Sequence, residues 1–295
     1  MIHPLCKQII ADLKIDRFVE TGTYTGETVS IVSHWLQAMD PDFGVVASVT
    51  RDEYLNQFLN NGRRPRYPVF RDSRESARVK LYSVDVDEKR QKGLQSIFSS
   101  NPNIRIINSS SEKFLKTSID TGLFGDNHRM FFYLDAHWGV YWPLRDEIRE
   151  VLRLKRSVIV IDDFAVPFHP DAGFDVYRFR SCSWFHIRDL FKDRLIHVYY
   201  PNRPNMDGQG SVFIFVGYDK GELAFMDQLP CFCPLIRGEP VVPALRIARH
   251  LCGLVMIPVL RKIGMEGLYG SLMSLPKGKA PQAEIDDEHW FSQFE

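Results

Sequence analysis

Glu20-Thr21-Gly22-Thr23-Tyr24-Thr25-Gly26 is the stretch on which the reading of this chain turns. Apolar Phe18 and Val19 run into it as a short strand that ends at Glu20. Beyond it Val29, Ile31, Val32, Trp35 and Leu36 recur at helical spacing. A strand, a tight turn and a helix therefore follow one another, which is the opening unit of a ligand-binding α/β sheet. Gly22 lets the backbone approach a ligand closely, and Gly26 permits a tight entry into the helix. An acidic side chain at the strand end can hold an ammonium group or an ordered water. The spacing is E-x-G-x-x-x-G, not the G-x-G-x-x-G that places a pyrophosphate on a helix N-terminus. A glycine turn with no ligand fits the same seven residues.

Outward from this turn the alternation continues. Val79 to Val84 reads as a second strand ending at Asp85, and a helix with Leu94, Ile97 and Phe98 on one face follows. Ile104 to Ile107 is a third strand, leading into Asn108-Ser109-Ser110-Ser111. Met130 to Leu134 is a fourth, ending at Asp135, and Val158 to Ile161 a fifth, ending at Asp162-Asp163. Between these two, Leu144, Ile148, Val151 and Leu152 mark a helix. Strands alternating with helices predict a mostly parallel, doubly wound sheet. Trp184, Ile187, Leu190 and Phe191 make a further helical face, and Leu195–Tyr200 and Ser211–Gly217 are the last strands. The segment between those two is too short for a crossover helix, so they are expected to be antiparallel neighbours. The fold class expected is α/β and Rossmann-like with an antiparallel last strand, over residues 1–220. An insert from about 39 to 78 carries Arg63, Arg64, Arg66, Arg71, Arg74 and Arg78. It reads as a solvated surface loop, or as a cradle for an anionic substrate. Residues 221–295 form a C-terminal extension, partly helical, with a polar, mobile tail from about 277.

Composition sets wide bounds. The 295 residues are 44% apolar, and 37 basic side chains balance 37 acidic ones. That neutrality gives no global pull toward nucleic acid or an anionic membrane. Five cysteines in a chain of this length do not make a disulfide scaffold, and the lone Cys231-x-Cys233 lacks zinc-finger spacing. No basic start with an apolar run opens the chain, so a cytoplasmic home is the default expectation. Val241–Leu260 carries Arg246, Arg249 and His250 and does not read as a membrane span. Packing on the sheet or in a homodimer ranks first for it, ahead of contact with a membrane surface.

The acidic strand ends carry the chemistry. Asp85 is placed to accept the hydroxyls of a ribose, with Asp87 as the runner-up and helix capping as the plainer role. Asp135 closes one apolar strand and Asp162-Asp163 the next, so three carboxylates gather at the rim where doubly wound sheets bind ligands. Like charges at such a rim call for a cation, and all-oxygen ligands favour magnesium, or manganese and calcium, over zinc. The plainer reading leaves two of them as solvated loop caps. Trp138, Tyr141 and Trp142 are core or an aromatic wall, and His169, Asp171 and Asp175 lie in the loop after Asp163.

Taken together, E-x-G-x-x-x-G, Asp85, Leu134-Asp135-Ala136-His137-Trp138 and Ile159-Val160-Ile161-Asp162-Asp163 resemble class I S-adenosylmethionine (SAM)-dependent methyltransferases. More narrowly they look like metal-dependent small-molecule O-methyltransferases of the catechol and macrolide-sugar type. The resemblance covers roughly residues 15 to 217. It implies that Glu20, Gly22, Thr23 and Gly26 shape the methionine side of a SAM site, that Asp85 holds the ribose, and that Ser110 and Ser111 lie near the adenine. It implies Asp135, Asp162 and Asp163 as ligands of magnesium, and a hydroxyl acceptor that is a small molecule or glycan. The family often ends this site in Asp-Asn where this chain has Asp-Asp. His137 is the candidate general base, with a packing histidine as the alternative. The catechol enzymes carry a lysine just after the corresponding aspartate, and this chain does not. Two other readings stand beside this one. A non-haem-iron hydroxylase would need two histidines and a carboxylate, and a binding or scaffold protein would keep the fold without turnover. A nucleic-acid enzyme is disfavoured, because its motifs are absent and the basic residues sit mostly in one insert.

Overall fold

The computed structural model describes residues 1–44, 73–137, 142–167, 169, 172–177 and 180–232. The arginine-rich centre of the insert, Trp138, Tyr141, Asp171, Cys233 and nearly all of the C-terminal extension lie outside these residues. Ten strands are described: β1 (Arg17–Thr21), β2 (Lys80–Asp85), β3 (Ile104–Asn108), β4 (Met130–Leu134), β5 (Ser157–Ile161), β6 (Val176–Tyr177), β7 (Arg180–Ser181), β8 (Ile196–Pro201), β9 (Val212–Val216) and β10 (Cys231–Phe232). The helices are α1 (Leu5–Asp12), α2 (Glu27–Met39), α3 (Glu88–Phe98), α4 (Ser111–Asp120), α5 (Leu144–Val151) and α6 (Trp184–Ile187).

Eight strands form one sheet in the order β10-β8-β9-β5-β4-β1-β2-β3. β1 to β5 are parallel, while β9 pairs antiparallel with both β5 and β8. This is the doubly wound, Rossmann-like sheet with antiparallel strands at one end that the sequence predicts. The order reverses between β1 and β4, which is where such sheets open a crevice at their carboxyl ends. The sheet also runs past residue 220, since β10 pairs with β8. Two residues of strand after a 3-10 turn carry no periodicity that a sequence pattern can show.

The apolar runs are continuous because both faces of the sheet are covered. Val19, Phe132, Leu134, Ile159, Ile161 and Ile214 belong to one buried cluster with Leu115 of α4, Ile148 of α5 and Trp184 of α6. Their neighbours in the chain, such as Phe18, Phe131, Val158 and Phe213, are buried outside that cluster, as the period of two requires. The Phe18 and Phe131 rings stack at 5.2 Å. At the insert, Asp40 draws the two ends together: its Oδ2 accepts from the amide of Arg78 at 2.7 Å and of Val79 at 3.4 Å. No helix among the described residues is long and apolar enough to cross a membrane.

Phe132 is fully buried in this cluster. Phe132→Ala is expected to lower unfolding stability by about 3–5 kcal/mol through lost burial and a residual cavity, read from urea unfolding, while Phe132→Leu retains most of it.

Candidate functional site

The carboxyl ends of β1, β2, β4 and β5 converge on two adjoining cavities. The first is lined by Gly22, Asp85, Asp87, Arg90, Ser109, Ser111 and Ala136, among others. The second is lined by Gly22, Tyr24, Asp135, His137, Asp163, Asp175 and Tyr177. Gly22 belongs to both. Its φ is +87°, and an added Cβ would collide with the Asp135 carbonyl oxygen and lie 2.7 Å from its carbon. Only glycine allows that approach of the β1 turn to the end of β4.

Asp85 stands at the first cavity with both oxygens fixed by the backbone. Oδ2 accepts from the Tyr24 amide at 3.1 Å and Oδ1 from the Asp87 amide at 3.0 Å. A carboxylate has about four acceptor positions, so two remain for ligand hydroxyls. Asp87 does what a helix cap does: Oδ1 accepts from the Arg90 amide at 2.9 Å at the start of α3. Arg90 lies over the Tyr24 ring, 4.6 Å from its centroid. Ser111 opens α4, with Ser110 as its N-cap residue.

Glu20 and Thr23 lie beneath the turn, both almost wholly buried. The Ser83 hydroxyl meets the Glu20 carboxyl and lies 2.8 Å from Thr23 Oγ1. Burial pushes the Glu20 carboxyl up to about 8, against the pull of hydrogen bonds from Ser83 and Thr28. Gly26 also has a positive φ, +79°, and an added Cβ there would lie 3.0 Å from a methyl carbon of Leu94 on α3. These residues hold the turn's shape from inside the fold.

The second cavity gathers charge. His137 Nε2 lies 3.1 Å from Asp163 Oδ2, 3.5 Å from Asp135 Oδ1 and 3.6 Å from Asp175 Oδ2. The ring is almost fully buried, its side chain only 4% exposed. Burial alone would lower its pKa, but the hydrogen bond with Asp163 and the charges of Asp135, Asp163 and Asp175 raise it to about 9. The carboxylates around the ring thus favour its protonated form. Burial and the charge of Asp162 push Asp135 well above the usual carboxylate range. Tyr177 donates to the His137 carbonyl at 3.0 Å and to Asp175.

Asp162 is not part of this group. Its Oδ2 accepts from the Tyr133 hydroxyl at 2.6 Å, and Oδ1 from Asn205 at 3.0 Å and Ser211 at 2.9 Å. The Met1 amino group lies 3.5 Å away. Successive side chains at a strand end point to opposite faces, so Asp162 continues the direction of Val158 and Val160 toward Tyr133. Asp163 turns the other way with a left-handed backbone, φ 50°. The carboxylates of Asp135 and Asp163 with the His137 ring are the set whose donor atoms lie within 4.8 Å of one another.

The sequence pattern did not reveal Arg90, Tyr177 or Glu147. Glu147 is 1% exposed on α5, one turn from Leu144 on the apolar stripe. Burial pushes it to about 7, held down by the Ser111 and Thr21 hydroxyls nearby. A charged residue on the apolar face was the available signal. His169 faces away, its Nε2 2.9 Å from the Asn202 carbonyl. Trp142 stacks on His186 at 4.1 Å and tilts against Tyr177 at 5.2 Å.

No family model and no curated protein matches this chain. Solved structures similar to it include a SAM-dependent methyltransferase from Aquifex aeolicus (11% identity, 71% of this chain and 87% of that one, TM-score 0.38). Others are an O-methyltransferase from Bacillus cereus in complex with SAH (10%, 72% and 79%, TM-score 0.41) and a spermidine synthase from Thermotoga maritima (11%, 73% and 60%, TM-score 0.37).

Two outcomes follow for the turn. Gly22→Ala is expected to lower stability by at least about 1–3 kcal/mol of backbone strain, measured by urea unfolding, because the collision adds to the unfavourable φ. Glu20 holds a proton in the folded protein that the unfolded chain releases above its ordinary value of 4.5. Its contribution to stability is therefore complete below about 4.5 and is lost as pH rises toward 8. Glu20→Gln should flatten that fall, so that unfolding midpoints of variant and parent move together toward alkaline pH only if Glu20 titrates normally.

Proposed function

We propose that this chain is a SAM-dependent methyltransferase that methylates a hydroxyl of a small molecule or glycan, with a divalent cation assisting. The observation that carries this reading is the shared wall of the two cavities. Gly22 lines both, Ala136 lines the first and Asp135 the second. A nucleoside-type donor site thus abuts an acidic acceptor site at the switch point of the sheet.

The residues fit both groups. Asp85, held by two amides, keeps acceptor positions for ribose hydroxyls, and Ser109 and Ser111 form the wall beyond it. Carboxylates and an imidazole around the second cavity are a donor set for a divalent cation. When bound, SAM supplies an electrophilic methyl group, and a divalent cation lowers the pKa of an acceptor hydroxyl.

The chain's own part is orientation and proton handling. Asp85 anchors the donor by its ribose, and the Gly22 turn sets the distance between donor and acceptor cavities. Fixing two reactants in line accounts for much of the rate gain in such transfers. Asp175 is the carboxylate placed to take the acceptor proton, with His137 Nε2 3.6 Å from its Oδ2. Tyr177 hydrogen-bonds Asp175 and closes the cavity beside the ring of His137. The hydroxylase reading is less well served, since among the described residues one histidine, not two, stands in the cluster.

Calorimetric titration with S-adenosylhomocysteine tests the reading. One-site, micromolar binding is expected, and Asp85→Asn should weaken it about tenfold, the loss of one charge-assisted hydrogen bond. A folded protein that does not bind overturns the assignment.

A further inference from the structure

We propose that Asp135, His137 and Asp163 form a mixed carboxylate–imidazole centre that takes a later first-row dication such as Co2+, Ni2+ or Zn2+ in preference to Mg2+ or Ca2+. The inference rests on the metal-assisted reading of the acidic cavity, and departs from the three-carboxylate set and the magnesium that the sequence resemblance implies. An all-oxygen set built on Asp162 would favour magnesium. The structure instead spends Asp162 on Tyr133, Asn205 and Ser211 and puts a ring nitrogen in the group. Imidazole nitrogen selects the later divalent metals over hard cations.

Three observations make this more than a cluster of acids. The first is spacing. Two ligands each about 2.1 Å from one ion lie roughly 3.0–3.4 Å apart at octahedral to tetrahedral angles. Nε2 stands 3.1 Å from Asp163 and 3.5 Å from Asp135, at and just beyond that range, and all three donor atoms lie within 4.8 Å of one another. The second is burial: the ring is 96% covered, with its Nε2 aimed at carboxylates that are themselves 20% and 29% exposed toward the cavity. The third is support from behind. Tyr177 donates to the His137 carbonyl at 3.0 Å and its ring meets the imidazole edge-to-face at 5.5 Å. The His137 amide donates to the Asp135 carbonyl at 3.1 Å, and the Asp175 amide to the Asp163 carbonyl at 2.9 Å. These contacts fix the backbone segments that carry the three side chains. Asp175 stands just outside the triad, hydrogen-bonded by Tyr177, and stays available to the acceptor.

The competing occupant is a proton: an imidazolium clamped among carboxylates. The full-length protein, stripped with chelator, separates the two. Co2+ titration is expected to give one equivalent bound with visible d–d bands, displaced by equimolar Zn2+ and not by a large excess of Mg2+. His137→Ala should weaken Co2+ about tenfold or more while S-adenosylhomocysteine affinity and the circular dichroism spectrum stay unchanged. Asp163→Asn serves as the second variant, should the first fail to fold, with the same loss expected. Absence of Co2+, Ni2+ and Zn2+ binding, or equal binding by a folded His137→Ala and Asp163→Asn, overturns the proposal. So does displacement of Co2+ by Mg2+ at comparable concentration. Metal binding in a protein that ignores S-adenosylhomocysteine would retain the centre and remove the methyltransferase reading, so the two fail separately.

Discussion

The site depends on how closely the β1 turn can approach the end of β4. At Gly22 the backbone comes so near the Asp135 carbonyl that no side chain fits between them. The parallel pairing of β1 with β4 sets this approach, and it continues past the strands, where the Asp135 amide donates to the Thr21 carbonyl at 3.0 Å. Gly22 therefore borders both cavities, with Ala136 on the first and Asp135 on the second. In the proposed reaction a nucleoside at Asp85 and an acceptor among the carboxylates would meet there.

The second constraint is electrostatic. Glu20, Glu147, Asp135 and Asp162 are acidic groups at or beneath the rim, and burial raises the first three above their ordinary values. Taking carboxylates out of water costs several kcal/mol each unless partners compensate. Asp162 has three neutral donors, and Glu20 has hydroxyls from Ser83 and Thr28. Among the described residues the cluster of Asp135, Asp163 and Asp175 shares the one imidazole of His137, with the Tyr177 hydroxyl on Asp175 as a neutral donor. The compensation is therefore uneven: the acids that shape the fold are satisfied by the chain, and those facing the cavity are left to share one positive group.

This unevenness explains what the sequence could and could not show. The strands, their parallel order and the antiparallel end were legible because apolar runs of four to six residues repeat between helical patterns. Asp85 and Asp135 were legible because each follows a strand and precedes a turn. The Asp162-Asp163 pair was ambiguous for a definite reason. Adjacent residues at a strand end face opposite sides, so the pair cannot act together, and which one turns inward depends on partners more than forty residues away, Asn205 and Ser211. Tyr177 depends on a two-residue hairpin, β6–β7, that has no period. Glu147 did leave a trace, as the one charged position on the buried stripe of α5.

Backbone strain points to the same place. Among the described residues three that are not glycine have a positive φ: Lys14, Tyr24 and Asp163. Two of the three line the acidic cavity. A left-handed tyrosine costs free energy, of order 1–3 kcal/mol, and persists only where its surroundings over-determine it. Here the Tyr24 amide is held by Asp85 and its ring by Arg90, so the strain is set against contacts that also shape the first cavity. Asp163 tolerates its conformation more easily, since aspartate is among the residues that enter this region, and its main chain is tied to Asp175. Relaxing Tyr24 would swing its ring off Arg90 and release Asp85. Relaxing Asp163 would turn its carboxylate away from His137. Tyr24 and Asp163 thus each carry a contact that shapes a cavity, the Tyr24 amide to Asp85 and the Asp163 carboxylate to His137.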